Sequence, residues 1–372
     1  MLEKDLGKSS ILSKQMEDKR DRAFASVAPF DWELGFDIEL LLGYRAICKD
    51  EAEFFGIRGR EGWGVDRYRE IVDEVKKKNI PPFKIPVKNQ GISSSCVGQA
   101  LSYYLEILNF IETGEYKKIS ARDIYAYISL GEGVGAYLRD GLKLTCNRGV
   151  GTEELVPCYH EFETDHGIVR NPYSEKEYLE KPEETDELKE VRSILKSKEY
   201  KSVKGFGPEL MDKMAWAMLM GLGVFFAVDG ENGRGWTSEY PQIPLEVAWS
   251  HALFGGKAFL ENNKKTISPI NSWGNSCGVE GWQKLQSDYF AGYFVYSPWT
   301  LIDLNNNWND MSNNQNVKII KDENSPAVGV WLPFLSPEAM ESVCLNFGIE
   351  VPKNEKGEIE WDKAIQGTLK LK

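Results

Sequence analysis

Cysteine and histidine are scarce in this chain of 372 residues, which holds six of the first and three of the second. Cys96 begins an apolar stretch whose residues recur at helical spacing through Glu112, and Thr113-Gly114 ends the pattern. A thiol at a helix start has a lowered pKa, because unpaired backbone N–H groups and the helix dipole favour the thiolate. The pattern therefore predicts a nucleophile at Cys96, with an inert core cysteine as the alternative.

A second feature of this stretch is Gln90, six residues before the cysteine in a Gly-Ile-Ser-Ser-Ser loop. Its side-chain N–H can be offered beside the backbone N–H of Cys96. Two donors that converge near a nucleophile form an oxyanion hole, which stabilises the negative oxygen of a tetrahedral intermediate. Together the two residues indicate acyl-transfer chemistry.

Two later segments extend the pattern, and the three resemble, in the same order, the nucleophile helix, histidine strand and asparagine loop of papain-like cysteine peptidases. The segments are Gln90-Gly91 with Cys96, Trp249-Ser250-His251-Ala252-Leu253-Phe254-Gly255-Gly256, and Ile270-Asn271-Ser272-Trp273-Gly274-Asn275-Ser276-Cys277-Gly278-Val279-Glu280-Gly281-Trp282. The resemblance covers residues 86–303. A fainter likeness at Phe30-Asp31-Trp32-Glu33-Leu34-Gly35 matches the start of mature family members.

The resemblance implies a catalytic role for four residues: Cys96, His251, Asn271 and Gln90. His251 would pair with Cys96 as thiolate and imidazolium and pass its proton to the leaving amine. Asn271 would accept the N–H of the other ring nitrogen, with Trp273 shielding that bond from water. His251 follows Cys96 by 155 residues, near the family spacing of about 130–150.

The chain departs from the family pattern around the cleft. Val97 and Cys277 stand where many relatives have tryptophan, and Trp282 where they often have tyrosine. None of these changes removes a reacting atom, but Cys277 becomes a second thiol that could lie near the site. The resemblance also implies a pocket for the substrate side chain, with a weak apolar preference, lined by Trp249, Ala252 and Trp273.

Composition excludes several classes of protein. A net charge of −12 argues against a nucleic-acid surface. The absence of an apolar run of eighteen residues and of an N-terminal signal core predicts a cytoplasmic protein that does not contact membranes. The six cysteines show no regular spacing that would indicate disulfide pairs. Ser93 also stands where secreted relatives carry a disulfide cysteine, and both features favour a reducing compartment. Bacterial, archaeal and phage origins, including a virion-associated product, fit equally.

No metal or cofactor is predicted. Cys158-Tyr159-His160 and Asp165-His166 hold potential ligands, but no second pair lies at ligand spacing, so we interpret the segment as a polar loop. No glycine-rich phosphate motif lies at a strand–helix junction.

The sequence pattern changes along the chain, from helical periodicity before about residue 222 to short apolar or alternating runs from Val224 onward. These runs, which predict strands, are 224–228, 251–260, 266–270, 282–285 and 293–302. This predicts an α+β protein with a helical half, an antiparallel, β-barrel-like half and a cleft between them. The expected domains are a polar arm at 1–29, a strand and inserted subdomain at 30–85, the peptidase domain at 86–303, an Asn-rich linker at 304–316 and a small α+β appendage at 317–372. In the appendage, strands are expected at 317–321 and 327–331 and a helix from Ser336 through Phe347.

The sequence thus predicts a cysteine endopeptidase that acts on proteins or peptides through a thioester intermediate. Three alternatives stay open: a transpeptidase, a cell-wall amidase with the same nucleophile, and a catalytically silent binding or virion-structural module. The oligomeric state and the natural substrate are not predicted.

Overall fold

The computed structural model describes residues 29–56, 58–164, 167–233, 235–304, 320–321 and 328–329. The chain divides into two units, Met1–Asn305 and Asn306–Lys372. In the second unit the description covers a pair of antiparallel strands, β10 (Ile320–Lys321) and β11 (Val328–Gly329). These strands lie inside the two that the sequence predicted. Residues 1–28 of the predicted arm, 305–316 of the linker and the predicted C-terminal helix lie outside the described residues.

The helices of the first unit precede residue 224, as predicted, except for the last one. They are α1 (Ile38–Arg45), α2 (Glu51–Phe55), a 3-10 turn (Gly59–Gly62), α3 (Val65–Lys78), α4 (Cys96–Thr113), α5 (Ala121–Ile128), α6 (Leu138–Asn147), α7 (Glu175–Leu179), α8 (Asp186–Ile194), α9 (Gly207–Gly221) and α10 (Ser287–Ala291).

Helix α4 is the centre of the helical half. It runs for 18 residues, and all of them from Cys96 to Ile111 are buried. Gly114 ends it in the left-handed conformation (φ 76°), which a residue without a Cβ adopts at little cost. The predicted helix boundaries are therefore confirmed within one residue. Neighbouring helix α5 begins at a Ser120 cap whose hydroxyl accepts from the Asp123 N–H over 3.0 Å.

The strand-rich half is one antiparallel sheet of seven strands. Their order is β4-β9-β5-β6-β7-β8, and β1 also pairs with β6. The strands are β1 (Phe36–Asp37), β4 (Ser197–Ser202), β5 (Val224–Gly230), β6 (Trp249–Glu261), β7 (Lys264–Ile270), β8 (Leu285–Gln286) and β9 (Val295–Leu304). Strand β6 packs on α4 and so joins the two halves.

Two expectations about the sheet need correction. The barrel-like half is an open sheet, since β4 and β8 stand at opposite ends of the order and do not pair among the described strands. The run Trp282–Leu285 is not a strand either. Regular pairing begins only at Leu285, and Trp282 makes isolated bridges to Ile270 and Val279.

The segment interpreted as a polar loop is also different in the structure. Strands β2 (Tyr159–Thr164) and β3 (Gly167–Pro172) form a hairpin, in register from Tyr159 opposite Pro172 to Thr164 opposite Gly167. Past Tyr159 nearly every residue of the hairpin is exposed, so backbone pairing and not apolar burial holds it together. His166 lies outside the described residues.

The extra segment between residues 37 and 85 packs on the far end of α4. Arg45 Nε donates to the carbonyl of Ile111 over 2.6 Å, which is about 22 Å along the helix from Cys96 at about 1.5 Å per residue. Trp63 donates to the carbonyl of Leu219 over 2.8 Å and ties the segment to α9. These contacts place its helices beside the helical half and away from the nucleophile end.

Within the described residues, no helix combines the length and apolar character needed to cross a bilayer.

Candidate active site

Cys96 is the first residue of α4, as the sequence predicted, and its side chain is buried. The first turn of the helix lies close against α5: a Cβ at Gly98 would stand 2.5 Å from the carbonyl oxygen of Ala121. Only glycine allows this approach. The packing fixes the helix start, and with it the direction of the Cys96 N–H and side chain.

His251 lies on β6 and Asn271 directly follows β7, the strand next to it. The register pairs Phe254 with Ile270, so the two side chains meet at the same end of the sheet. His251 Nε2 lies 3.0 Å from Asn271 Oδ1. An amide oxygen can only accept, so Nε2 carries the proton of the neutral ring and Nδ1 carries its lone pair.

Three tryptophans surround this hydrogen bond. The ring of Trp273 lies over that of His251, with centroids 4.6 Å apart and planes tilted by 37°. Trp249 packs edge-on against Trp273 at 5.6 Å, and Trp236 packs edge-on against Trp249 at 5.0 Å. All three are buried, so the histidine–asparagine bond lies in an environment of low polarity, where a hydrogen bond is strengthened.

Gln90 is held to the asparagine loop through its neighbour Ser272. The Gln90 N–H donates to the Ser272 carbonyl over 2.8 Å, and the Ser272 hydroxyl donates back to Gln90 Oε1 over 2.7 Å. Because Oε1 accepts, the opposite side of the amide is the donor side, and Nε2 donates one hydrogen to the Ser93 carbonyl over 2.7 Å. The glutamine side chain thus has a fixed orientation in the loop that leads into α4.

Lys88 and Glu106 form a buried ion pair, called the Lys88 clamp below, which anchors the start of that loop on α4. Lys88 Nζ lies 2.5 Å from Glu106 Oε1 and 3.6 Å from Glu153 Oε1. Burial lowers the pKa of Lys88, but the two carboxylates outweigh it and the net pKa is raised, so the lysine is charged. The Lys88 carbonyl accepts from the Gly274 N–H over 3.0 Å, which connects the clamp to the asparagine loop.

A buried carboxylate, that of Asp229, lies beside the histidine strand. Asp229 Oδ1 accepts from Ser250, the residue before His251, over 2.7 Å, and from the Tyr296 hydroxyl over 2.8 Å. Burial chiefly raises the pKa of Tyr296; the Asp229 charge adds to it, and Cys96 contributes least. Asp229 therefore joins Tyr296 on β9 to the residue before His251 on β6.

Comparison with solved structures agrees with this topology. Xylellain, a cysteine protease from Xylella fastidiosa, is similar to the chain with a TM-score of 0.55 at 17% identity, over 82% of this chain and 99% of its own. The fold is that of the papain-like cysteine peptidases. Procathepsin B S9 from Trypanosoma congolense (TM-score 0.49, 11% identity, 80% and 87% covered) and bromelain from Ananas comosus (0.44, 18%, 59% and 94%) also match. No family model and no curated protein matches the sequence.

On this papain-like scaffold, the residues predicted to line the substrate pocket are buried. Trp249 and Trp273 pack around His251, and Ala252 faces Ala227 across the β5–β6 register. Their role toward substrate stays a prediction, as does a place for Cys277, which is buried in the loop after Trp273. Among the described residues, no three potential ligands gather as a metal site.

Three residues that hold the candidate site residues in place were not predicted from the sequence. Ser272 orients Gln90, Trp236 completes the aromatic wall, and Gln283 accepts from Asn271 Nδ2 over 2.6 Å. Ser272 lay inside the quoted motif, although no role was attached to it. Gln283, between Trp282 and Lys284, carries no such signal.

Proposed function

We propose that the protein is a cysteine endopeptidase, in which Cys96 attacks the peptide carbonyl and His251 shuttles the proton. The observation that carries the proposal is the 3.0 Å contact of His251 Nε2 with Asn271 Oδ1. It assigns the lone pair to Nδ1, the ring nitrogen that has to accept the thiol proton. The papain-like fold, seen in proteases such as xylellain, supports the same chemistry.

In the first half of the reaction, Nδ1 takes the Cys96 proton and the thiolate adds to the carbonyl carbon. The C=O π electrons move to oxygen, which the Cys96 N–H and the Gln90 amide would stabilise as donors. The tetrahedral intermediate then collapses, the C–N bond breaks, and the imidazolium gives its proton to the leaving amine. The product is a thioester on Cys96.

In the second half, Nδ1 accepts a proton from water as the water oxygen adds to the thioester carbonyl. Collapse of this intermediate breaks the C–S bond and releases the carboxylic acid, and the imidazolium returns its proton to the Cys96 sulfur. Throughout, the N–H on Nε2 stays bonded to Asn271, so the ring keeps its orientation while Nδ1 gains and loses a proton. Water as acyl acceptor makes the enzyme a hydrolase, whereas an amine would make it a transpeptidase.

The partner is a protein or peptide chain, since the four residues act on an amide and require no metal or cofactor. We place the activity in residues 86–303, with the segments at 30–85 and 317–372 as additions. We also propose that the enzyme works in a reducing, cytoplasmic setting, which keeps the Cys96 thiol available.

The test is hydrolysis of a fluorogenic peptide library by intact protein, with mass spectrometry of the same sample to show the chain uncut. Wild type should cleave internal peptide bonds, and Cys96→Ala should leave almost no activity. Cys146→Ala, in α6 on the helical half, is the matched control and should retain full turnover. Release of fragments from peptidoglycan with no peptide cleavage would assign an amidase instead, and equal rates in wild type and Cys96→Ala would remove the enzyme proposal.

A further inference from the structure

Gln283 is fully buried in the turn that leads to β8, with its backbone N–H bonded to the carbonyl of Pro269 over 3.0 Å. Its side-chain Nε2 donates to the carbonyl oxygen of Trp236, and to that of Ser238 over 3.3 Å. Its Oε1 accepts from Asn271 Nδ2 over 2.6 Å. A buried amide with both ends satisfied has one energetically favoured orientation.

Backbone carbonyl groups fix the orientation of the Gln283 and Asn271 side-chain amides. Carbonyl oxygens can only accept, so the end of Gln283 that faces Trp236 and Ser238 must be its NH₂ group. Its oxygen then faces Asn271, so the Asn271 group on that side must be the NH₂ donor. The Asn271 oxygen is left on the side of His251.

A second hydrogen bond, at the Asn271 oxygen, indicates the same amide orientation. The Ser272 backbone N–H, which can only donate, lies 2.7 Å from Asn271 Oδ1. Two fixed backbone groups on opposite sides of the asparagine therefore agree on its orientation, so the assignment does not depend on telling amide oxygen from nitrogen.

We infer that Gln283 is a positioning residue of the proposed catalytic site, which acts through Asn271 to hold the proton of His251 on Nε2. The inference rests on the peptidase function proposed above. Were the Asn271 amide reversed, its NH₂ would face Nε2 and the ring proton would move to Nδ1. In that tautomer Nδ1 has no lone pair for the proton of Cys96, so the nucleophile could not be activated.

Gln283→Met tests this, because methionine has a similar length and removes all three side-chain hydrogen bonds. Asn271 Nδ2 then loses its buried acceptor, and the reversed amide becomes more populated. We expect kcat for peptide hydrolysis to fall about tenfold with KM little changed, since a positioning group acts on the reaction and not on binding. Asn109→Leu, which removes a 2.7 Å bond from a buried amide to the Glu115 carbonyl at the far end of α4, is the matched control and should retain kcat.

A double-mutant cycle separates positioning from general damage. If Gln283 acts through Asn271, Gln283→Met should cost no more than about twofold in an Asn271→Ala background, because the residue it orients is gone. Multiplicative losses in the double variant, or wild-type kcat in Gln283→Met, would overturn the inference. Thermal melting of each variant shows whether it is folded.

Gln283→Glu keeps the inference testable if the methionine variant does not fold. A protonated glutamate reproduces both contacts, with its carbonyl oxygen toward Asn271 and its O–H toward Trp236, whereas the ionised form turns a carboxylate toward two carbonyl oxygens. The kcat of Gln283→Glu relative to wild type should therefore be near one at acid pH and fall as the pH rises. A constant ratio would overturn the inference.

The pH profile of Cys96 alkylation by iodoacetamide distinguishes failure of the inference from failure of the proposed function. A wild-type Cys96 that reacts at pH 5–6 while Gln283→Met matches it at every pH removes the role of Gln283 alone. A wild-type Cys96 that titrates as an ordinary thiol of pKa about 8.5 removes the proposed function, and the inference with it.

Discussion

Ser272 donates its hydroxyl to Gln90 Oε1 over 2.7 Å, joining two residues 182 positions apart in the chain. On the other side of the amide, the Ser93 carbonyl, which can only accept, takes a hydrogen from Gln90 Nε2 over 2.7 Å and so fixes which side is the nitrogen. Together the two bonds decide that the glutamine would present a hydrogen-bond donor to a substrate carbonyl.

This relationship gives a prediction for the oxyanion hole. Gln90→Ala should lower kcat by about 10²–10³, the usual loss when one oxyanion donor is removed. Ser272→Ala keeps the donor and removes only its orientation, so its loss should be smaller, about tenfold. Steady-state kinetics with one fluorogenic peptide measures both. Wild-type kcat in Gln90→Ala would show that its amide does not face the reacting carbonyl.

A second prediction ranks the residues of the histidine pair. His251→Ala should leave almost no activity, because His251 is the group proposed to take up the thiol proton. Asn271→Ala should retain measurable activity, since Asn271 orients the ring and does not exchange protons with the substrate. The comparison is made on kcat at saturating peptide. An Asn271→Ala variant as inactive as His251→Ala would mean that more than ring orientation is lost.

The elements that carry the site were predictable because burial patterns reveal them. Helix α4 shows an apolar face that ends at Gly114, and β5 and the first half of β6 are mostly apolar and fully buried. The hairpin of β2 and β3 escaped prediction because its side chains are mostly exposed, so no alternation of apolar residues marks it. Edge strand β4 was missed because its sequence, Ser-Lys-Glu-Tyr-Lys-Ser, is polar, although its residues are buried or half-buried.

For the site, sequence motifs indicated the residues proposed to react and not those that orient them. Gln283 bonds to the backbone of Trp236, 47 positions earlier, and such a contact leaves no trace in residue type or spacing. The Lys88 clamp is similar. From the sequence alone, a lysine beside a loop is expected to be solvated. Only the fold shows that Glu106 lies against it.

The Lys88 clamp gives a prediction for stability. Lys88→Met should lower the free energy of unfolding by about 3–5 kcal/mol, because it leaves the buried Glu106 carboxylate without its cation. The double variant Lys88→Met/Glu106→Gln should recover much of the loss, since a neutral amide can still accept from the Ile119 N–H that Glu106 now binds over 2.8 Å. Urea denaturation compares them. Equal stability of the single variant and wild type would show that the pair is not buried in solution.

A fourth prediction concerns Glu112, near the C-terminal end of α4, whose Oε1 accepts from the Leu304 N–H over 2.8 Å. Burial raises the pKa of Glu112 to about 7. Between the unfolded pKa of about 4.3 and this value the folded protein binds more protons than the unfolded chain, so stability falls as the pH rises through that window. Since the side chain is only half-buried, we expect a contribution of about 1–2 kcal/mol.

Glu112→Gln keeps the acceptor for Leu304 and removes the titration. The variant should be more stable than wild type at pH 8 and about equal to it at pH 4.5, by denaturant unfolding. Glu115→Gln, at an exposed neighbouring carboxylate, serves as the control and should follow wild type at both pH values. A stability difference between Glu112→Gln and wild type that does not change with pH would contradict the buried titration.

The most direct test of the account is brief alkylation with iodoacetamide at pH 5–6, followed by peptide mapping of wild type and His251→Ala. We predict that wild type is labelled first at Cys96, while burial keeps the pKa values of Cys48 (about 11), Cys146 and Cys158 above that of a free thiol and these cysteines stay unlabelled. His251→Ala should lose the low-pH reaction at Cys96. Labelling of Cys96 that is equal in both proteins, or that begins only above about pH 8 in wild type, would contradict a thiolate–imidazolium pair.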